Sequence, residues 1–117
     1  MAWQVLTLPA FDEWFESLDQ VDRRALDVKV RALEQLGPLL GRPHADTLEG
    51  SKHSNMKELR ARETLRAFYA FDPMRRAILL IGGDKRGDKQ FYDRMIAKAD
   101  ELYDRYLESL GDEQGER

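Results

Sequence analysis

Trp3, Val5 and Thr7 alternate with Gln4, Leu6 and Leu8, a two-residue period that predicts a strand. Pro9 stands where a first helical residue would, with its missing N–H harmless there. Phe11, Trp14 and Phe15 mark the apolar side of a short helix over Ala10–Ser17. Asp19 reads as the N-cap of a second helix, with Asp22 favoured in its first turn by the helix dipole. Leu18, Val21, Ala25, Val28, Ala32 and Leu36 then recur every three or four residues, and Leu26, Val30 and Leu33 widen the stripe until Gly37-Pro38 ends it. Two helices joined at Leu18-Asp19 predict a hairpin that lies across a sheet.

From Leu39 to Asn55 no period survives, because Gly41, Pro43, Gly50 and Ser51 interrupt it. Met56–Ala61 predicts the second strand, with Met56, Glu58 and Arg60 on one face and Lys57, Leu59 and Ala61 on the other. Arg62-Glu63 falls near a turn. Thr64–Phe71 predicts the third strand, with Arg66 on the same side as Phe68. Asp72-Pro73-Met74-Arg75 reads as a turn with proline at its second position. Ala77–Ile81 is apolar at every residue, which predicts a central strand buried on both faces, ended by Gly82-Gly83. Asp88 can cap a last helix with its stripe on Phe91, Met95, Ala99, Leu102, Tyr106 and Leu110. The pattern gives one domain over residues 1–110 and a polar, disordered tail over 111–117.

Length and composition agree: 117 residues supply one core, and 42% apolar with 35% charged residues describe a globular chain with a busy surface. Without cysteine there is no disulfide framework, thiolate nucleophile or thiolate metal site. The first residues lack a basic stretch followed by an apolar run, and no segment approaches a membrane span, so a cytoplasmic protein is expected. The net charge of −3 argues at first against a nucleic-acid partner. Its distribution argues otherwise. Residues 1–41 hold 4 Lys/Arg against 7 Asp/Glu and residues 95–117 hold 3 against 7, but residues 42–94 hold 12 against 8. Local field governs a close contact, since salt screens charges beyond about 10 Å.

That basic segment carries the candidate chemistry. Gly82 to Lys89 links a buried strand to a helix, and a helix N-terminus beside Lys85 and Arg86 suits a phosphate, although neither a Walker loop nor a dinucleotide fingerprint is present. An antiparallel meander would gather Arg60, Arg66 and the Lys85-Arg86 pair at strand ends, with Tyr92 on the first turn of the following helix. Cations around a scissile phosphate stabilise the charge of in-line displacement. A tyrosine can stack on a base, orient the nucleophile or relay a proton. RNA brings its own nucleophile, the 2′-hydroxyl, so no metal or other cofactor is required. His44 and His53, nine apart in a loop, make a poor metal signal. Glu58 and Glu63 flank arginines and read as structural.

On these residues the chain resembles the toxins of the RelE/ParE superfamily, and within it the phage-derived HigB-like (Gp49-like) branch. The resemblance runs from the first strand to about Leu107. It is carried by Lys57-Glu58-Leu59-Arg60, Leu65-Arg66-Ala67-Phe68-Tyr69, Ala77-Ile78-Leu79-Leu80-Ile81 and Asp84-Lys85-Arg86. It implies an α+β, RelE-like fold: a small, mainly antiparallel sheet of about four strands with an N-terminal helical hairpin and a C-terminal helix. It also implies a type II toxin–antitoxin toxin that cuts mRNA, usually in the ribosomal A site, and leaves a cyclic phosphate. The partners implied are mRNA, the ribosome and a cognate antitoxin, often a helix-turn-helix protein, expected in the adjacent reading frame; no membrane is involved. By position, Arg66 and Arg86 match the arginines that contact the phosphate, and Tyr92 the tyrosine that stacks on or activates the substrate. Lys57, Arg60, Lys85 and Lys89 are the candidate RNA-binding positions. Met56 and Glu58 depart from the pattern, standing where RelE has catalytic lysines. Two alternatives stay open: ParE-like poisoning of gyrase by binding, and a catalytically degenerate toxin acting through antitoxin or operator binding.

Overall fold

The structure, a computed structural model, describes residues 2–115, with side chains as far as Gly111. Its centre is β4 (Leu65–Phe71), in which every residue up to Ala70 is buried. Around it lie β1 (Val5–Thr7), β2 (Ala45–Thr47), β3 (Lys57–Ala61) and β5 (Ala77–Asp84), in the order β1-β5-β4-β3-β2. Only β1–β5 is parallel; the other pairings are antiparallel. The helices are α1 (Pro9–Ser17), α2 (Gln20–Leu36) and α3 (Phe91–Gly115).

Because side chains alternate across a strand, the sheet builds two cores. Leu59, Ala61, Leu65, Ala67, Tyr69 and Leu79 pack beneath α1 and α2 with Phe11, Leu26 and Leu33. Met56, Phe68, Ala70, Ile78 and Leu80 pack on the other face against Phe91, Ile96, Ala99 and Tyr103 of α3. Local chemistry sets the ends. The Asp19 carboxylate accepts from the Asp22 amide at 2.8 Å to start α2, and Gly37, at φ +54°, ends it where a Cβ would strike the Trp3 ring.

The structure adds detail to several expectations. The sheet has five strands, since Ala45–Thr47, inside the stretch that lacked a period, pairs with β3. Three residues are too few to show alternation. The apolar strand Ala77–Ile81 lies second from the edge rather than at the centre, and it runs through Gly82-Gly83 to Asp84. A register shift opposite Phe68/Tyr69 marks a β-bulge between β4 and β5. Of the tail expected over 111–117, the backbone is described to Gly115, as part of α3, and residues 116–117 lie outside the described residues. No described helix is long and apolar enough to cross a membrane.

Candidate active site

The β3–β4 hairpin pairs Arg60 directly with Arg66, on the α3 face of the sheet. Two like charges in opposed positions repel. Glu58, two residues before Arg60 on the same face, answers them. Its carboxylate is 2% exposed and receives the Arg60 Nε–H at 3.1 Å, with Arg66 Nε at 3.6 Å. The Tyr92 hydroxyl donates to the other carboxylate oxygen, Oε1, at 2.8 Å, from 34 residues away in sequence. Asp46 on β2 takes a second Arg60 nitrogen at 3.3 Å. A buried carboxylate thus joins two strands to the first turn of α3.

Arg66 is 7% exposed. Its guanidinium donates to the carbonyls of Leu65 (2.9 Å) and Glu63 (3.2 Å), which fixes the plane of the group. Its Nε–H has no hydrogen-bond acceptor among the described residues, because 3.6 Å to Glu58 is an ion-pair distance and not a hydrogen bond. The site therefore holds one buried, oriented and unfilled donor. Burial pushes the Tyr92 phenol above its ordinary value and the Glu58 carboxylate pushes further, outweighing the nearby Arg66, so the hydroxyl stays protonated at neutral pH.

Gly83 is the β5 residue opposite Arg66. A Cβ there would stand 2.9 Å from the Phe91 ring. The missing side chain gives Phe91 its seat, and Tyr92 follows with its hydroxyl over Glu58. Phe91 and Phe68 meet the Tyr92 ring edge to face, at 5.2 and 6.3 Å, and Lys85 Nζ lies 5.8 Å from the ring centroid. With its surroundings so filled, Tyr92 is better disposed to act through its hydroxyl than as an open stacking platform.

The structure brings together Arg60, Arg66, Tyr92 and Lys85. Arg86 stands apart from that cluster. Its side chain is 78% exposed, with the nearest carboxylate, Asp84, at 3.9 Å, and it lines a cleft of about 440 Å³ with Arg62, Glu63, Thr64, Leu65, Asp84 and Asp22. Glu63 is the link: its carbonyl holds Arg66, and the residue borders the cleft that holds Arg86. Lys89 is exposed on the turn before α3. Lys57 is on the other face of the sheet, donating to the Thr47 hydroxyl at 2.9 Å. The histidines are separate: His44 Nδ1 lies 2.7 Å from Lys29 Nζ, and His53 Nε2 lies 2.8 Å from the Asp104 carboxylate. Sequence reasoning missed Glu58 as the centre of the cluster. The available signal was its place on one face with Arg60 in β3; what it lacked was the hairpin register that adds Arg66.

Comparison with known proteins identifies the lineage. The profile of the family described as phage derived protein Gp49-like matches residues 13–104. A protein of Mycobacterium tuberculosis named as the candidate toxin HigB3 is 43% identical over 107 residues, covering 90% of this chain and 94% of its own. A double arginine-to-alanine mutant of the Escherichia coli toxin RelE, in its free state, superposes with a TM-score of 0.60 at 14% identity, over 85% of this chain and 95% of that one. The RelB–RelE antitoxin–toxin complex of Methanococcus jannaschii gives 0.58 at 12% identity, over 76% and 96%. At such identities the two structures establish the shared RelE-like fold. The family match and the relative at 43% identity establish more: this chain belongs to the Gp49-like family, the HigB-like branch of toxins from toxin–antitoxin modules.

Proposed function

We propose that the chain is a metal-independent endoribonuclease that cuts mRNA, restrained by a cognate antitoxin. The observation that carries the reading is the Tyr92–Glu58 hydrogen bond at 2.8 Å, set beside the unfilled Nε–H of buried Arg66. That nitrogen is closed to solvent in the free chain, so a phosphate oxygen would complete the donor once the side chains over it move aside; a second cation, Arg60, lies across the hairpin. Lys85 reaches in from the exposed β5–α3 turn, and Arg86 holds the RNA strand from the neighbouring cleft. As the RNA 2′-oxygen attacks phosphorus, its proton passes to Glu58. The bond to the 5′-oxygen breaks, and that oxygen takes the Tyr92 proton. Tyr92 recovers a proton from Glu58 along the existing hydrogen bond. The products are a 2′,3′-cyclic phosphate and a 5′-hydroxyl, and the enzyme is restored. A phenol above its ordinary value is still far more acidic than an alcohol, so it remains a competent acid for an alkoxide leaving group. The arginines stabilise the developing charge where water is excluded.

The mRNA, and with it the ribosome, belongs to this proposal, as does the antitoxin, which accompanies RelE in the Methanococcus complex. Gyrase poisoning draws no support from the matched family. Expression of the wild-type chain should arrest growth, and alanine at Arg66 or Arg86 should relieve the arrest in a protein whose thermal melt stays cooperative. A folded double variant as toxic as wild type would refute the assignment.

A further inference from the structure

The core accounts for one side of α2, through Leu26 and Leu33. Another side is unexplained by it. Val21 is 59% exposed, Val28 63%, Leu36 46% and Leu39, just past the helix end, 85%. Of the five large apolar side chains that stand exposed among the described residues, three therefore lie on α2 and a fourth, Leu39, in the turn that follows it, the fifth being Met74. Ala25 and Ala32, half-buried against the core, fall between the valines, so the seam reads Val-Ala-Val-Ala at alternating steps of four and three. That is coiled-coil spacing, and α2, at 17 residues, presents it over about 25 Å. A monomer gains nothing from an apolar stripe in water; its usual meaning is contact with another chain.

The charges beside the stripe select the occupant. Along one edge Arg24 and Arg31, seven apart, are both exposed, and neither makes an ion pair among the described residues. Along the other edge the charges are already engaged: Asp22 pairs with Arg62 at 3.3 Å, and Lys29 lies 2.7 Å from His44. A second copy of α2 is a poor match. Antiparallel pairing would set the Arg24/Arg31 edge against itself, and parallel pairing would set Arg24 against Lys29. Both orders oppose like charges. We infer that this face of α2 docks an acidic amphipathic helix from a different protein chain, with apolar residues on the valine–alanine seam and carboxylates against Arg24 and Arg31. The small alanines let such a helix approach closely.

The inference does not depend on RNA cleavage, because α2 covers the face of the sheet opposite Glu58, Arg66 and Tyr92. A helix docked here leaves that cluster uncovered. The probe is a designed helical peptide about three heptads long, with Leu at its seam positions and Glu on both edges, and a counterpart with Lys in place of Glu. Binding is read by fluorescence anisotropy on the full chain and on Val28→Asp, Arg24→Glu/Arg31→Glu and Arg66→Ala. All but the last alter exposed positions, and a thermal melt checks each fold. The Glu peptide should bind wild type and Arg66→Ala alike and should lose binding to Val28→Asp. It should weaken at least about fivefold on the double arginine variant, to which the Lys peptide should bind better than to wild type. No saturable binding of the Glu peptide, equal affinity for both peptides, or a wild-type dimer that Val28→Asp dissolves would overturn the inference. The last result would give the stripe to a second copy. Arg66→Ala separates the two readings, since it should abolish toxicity and leave docking untouched.

Discussion

A carboxylate buried between two arginines and a tyrosine matters in two separable ways. Glu58 offsets the repulsion of Arg60 and Arg66, which the hairpin sets opposite each other, and it offers a base beside a proton donor. Glu58→Gln keeps the shape and an acceptor for Tyr92 but removes the charge. Its removal should cost about 3 kcal/mol of stability, read as a lower melting temperature, because buried charges lose their partner. It should also lower RNA cleavage by about 100-fold or more, the scale of general base catalysis. Tyr92→Phe should lower cleavage with a smaller stability loss, about 1 kcal/mol for one hydrogen bond. A folded Glu58→Gln protein that cuts normally would leave Glu58 as a counter-charge only. At this scale the residue types were legible and their meeting was not. Period-two alternation set Glu58 and Arg60 on one face of β3. A two-residue turn at Arg62-Glu63 would have paired Arg60 with Leu65, sending Arg66 to the other face. The actual turn spans three residues, Ala61 pairs with Leu65, and Arg66 joins Glu58. One residue of register decides which side chains share a face. Arg62, held at φ +51°, is a left-handed turn residue that no glycine announced.

The helices and strands are positioned by neighbours that sequence periodicity does not report. Gly82 and Gly83 read as a strand end, yet each is a packing site within β5. A Cβ on Gly82 would strike the Trp14 ring of α1, and one on Gly83 would press on the Phe91 ring that starts α3. Alanine at the two should therefore differ in kind. Gly82→Ala should destabilise by about 1 to 3 kcal/mol and leave the cleavage rate of the folded protein unchanged. Gly83→Ala should cost less in the melt and more in the rate, since Phe91 moves and carries Tyr92 with it; equal effects on both measurements would contradict this division. At the other end of β4, Asp72 ties its turn to α3. It accepts the amides of Met74 and Arg76, the Arg76 guanidinium and the Tyr106 hydroxyl. Burial pushes Asp72 up, but the Arg76 amide, Tyr106 and the Arg76 side chain together hold it below the ordinary carboxylate range. Burial and Asp72 in turn push Tyr106 up to about 12. A carboxyl held lower in the folded chain stabilises it fully above an ordinary value of about 3.9, and that contribution vanishes as pH falls through the folded value. Urea titrations should show wild type losing stability faster than Asp72→Asn as the medium is acidified below about pH 4, the two curves converging. Parallel curves would show that Asp72 contributes no pH dependence.

Across the whole molecule, most cations of residues 42–94 prove to be paired with carboxylates. Arg42 and Arg60 meet Asp46, Arg62 meets Asp22, Arg76 meets Asp72 and Arg94 meets Asp88. Segment counts carried the right sign but hid this pairing, because partners such as Asp22 and Asp104 come from the acidic flanks. What distinguishes the site is one buried arginine with an unfilled donor, beside a carboxylate and a phenol, and not a broad positive surface. The sheet also separates two features: the Glu58 cluster lies under α3, and the exposed valines of α2 lie across the core from it. Sequence periodicity found the α2 stripe but could not say which of its apolar positions the core would use. The central claim is tested most directly with the purified chain and a short single-stranded RNA in excess EDTA, with the new ends identified chemically. Cleavage to 2′,3′-cyclic phosphate and 5′-hydroxyl ends, lost in Arg66→Ala and Tyr92→Phe and absent with a 2′-deoxy substrate, is the predicted result. Cleavage of the 2′-deoxy substrate, or equal rates in wild type and the folded Arg66→Ala protein, would contradict it.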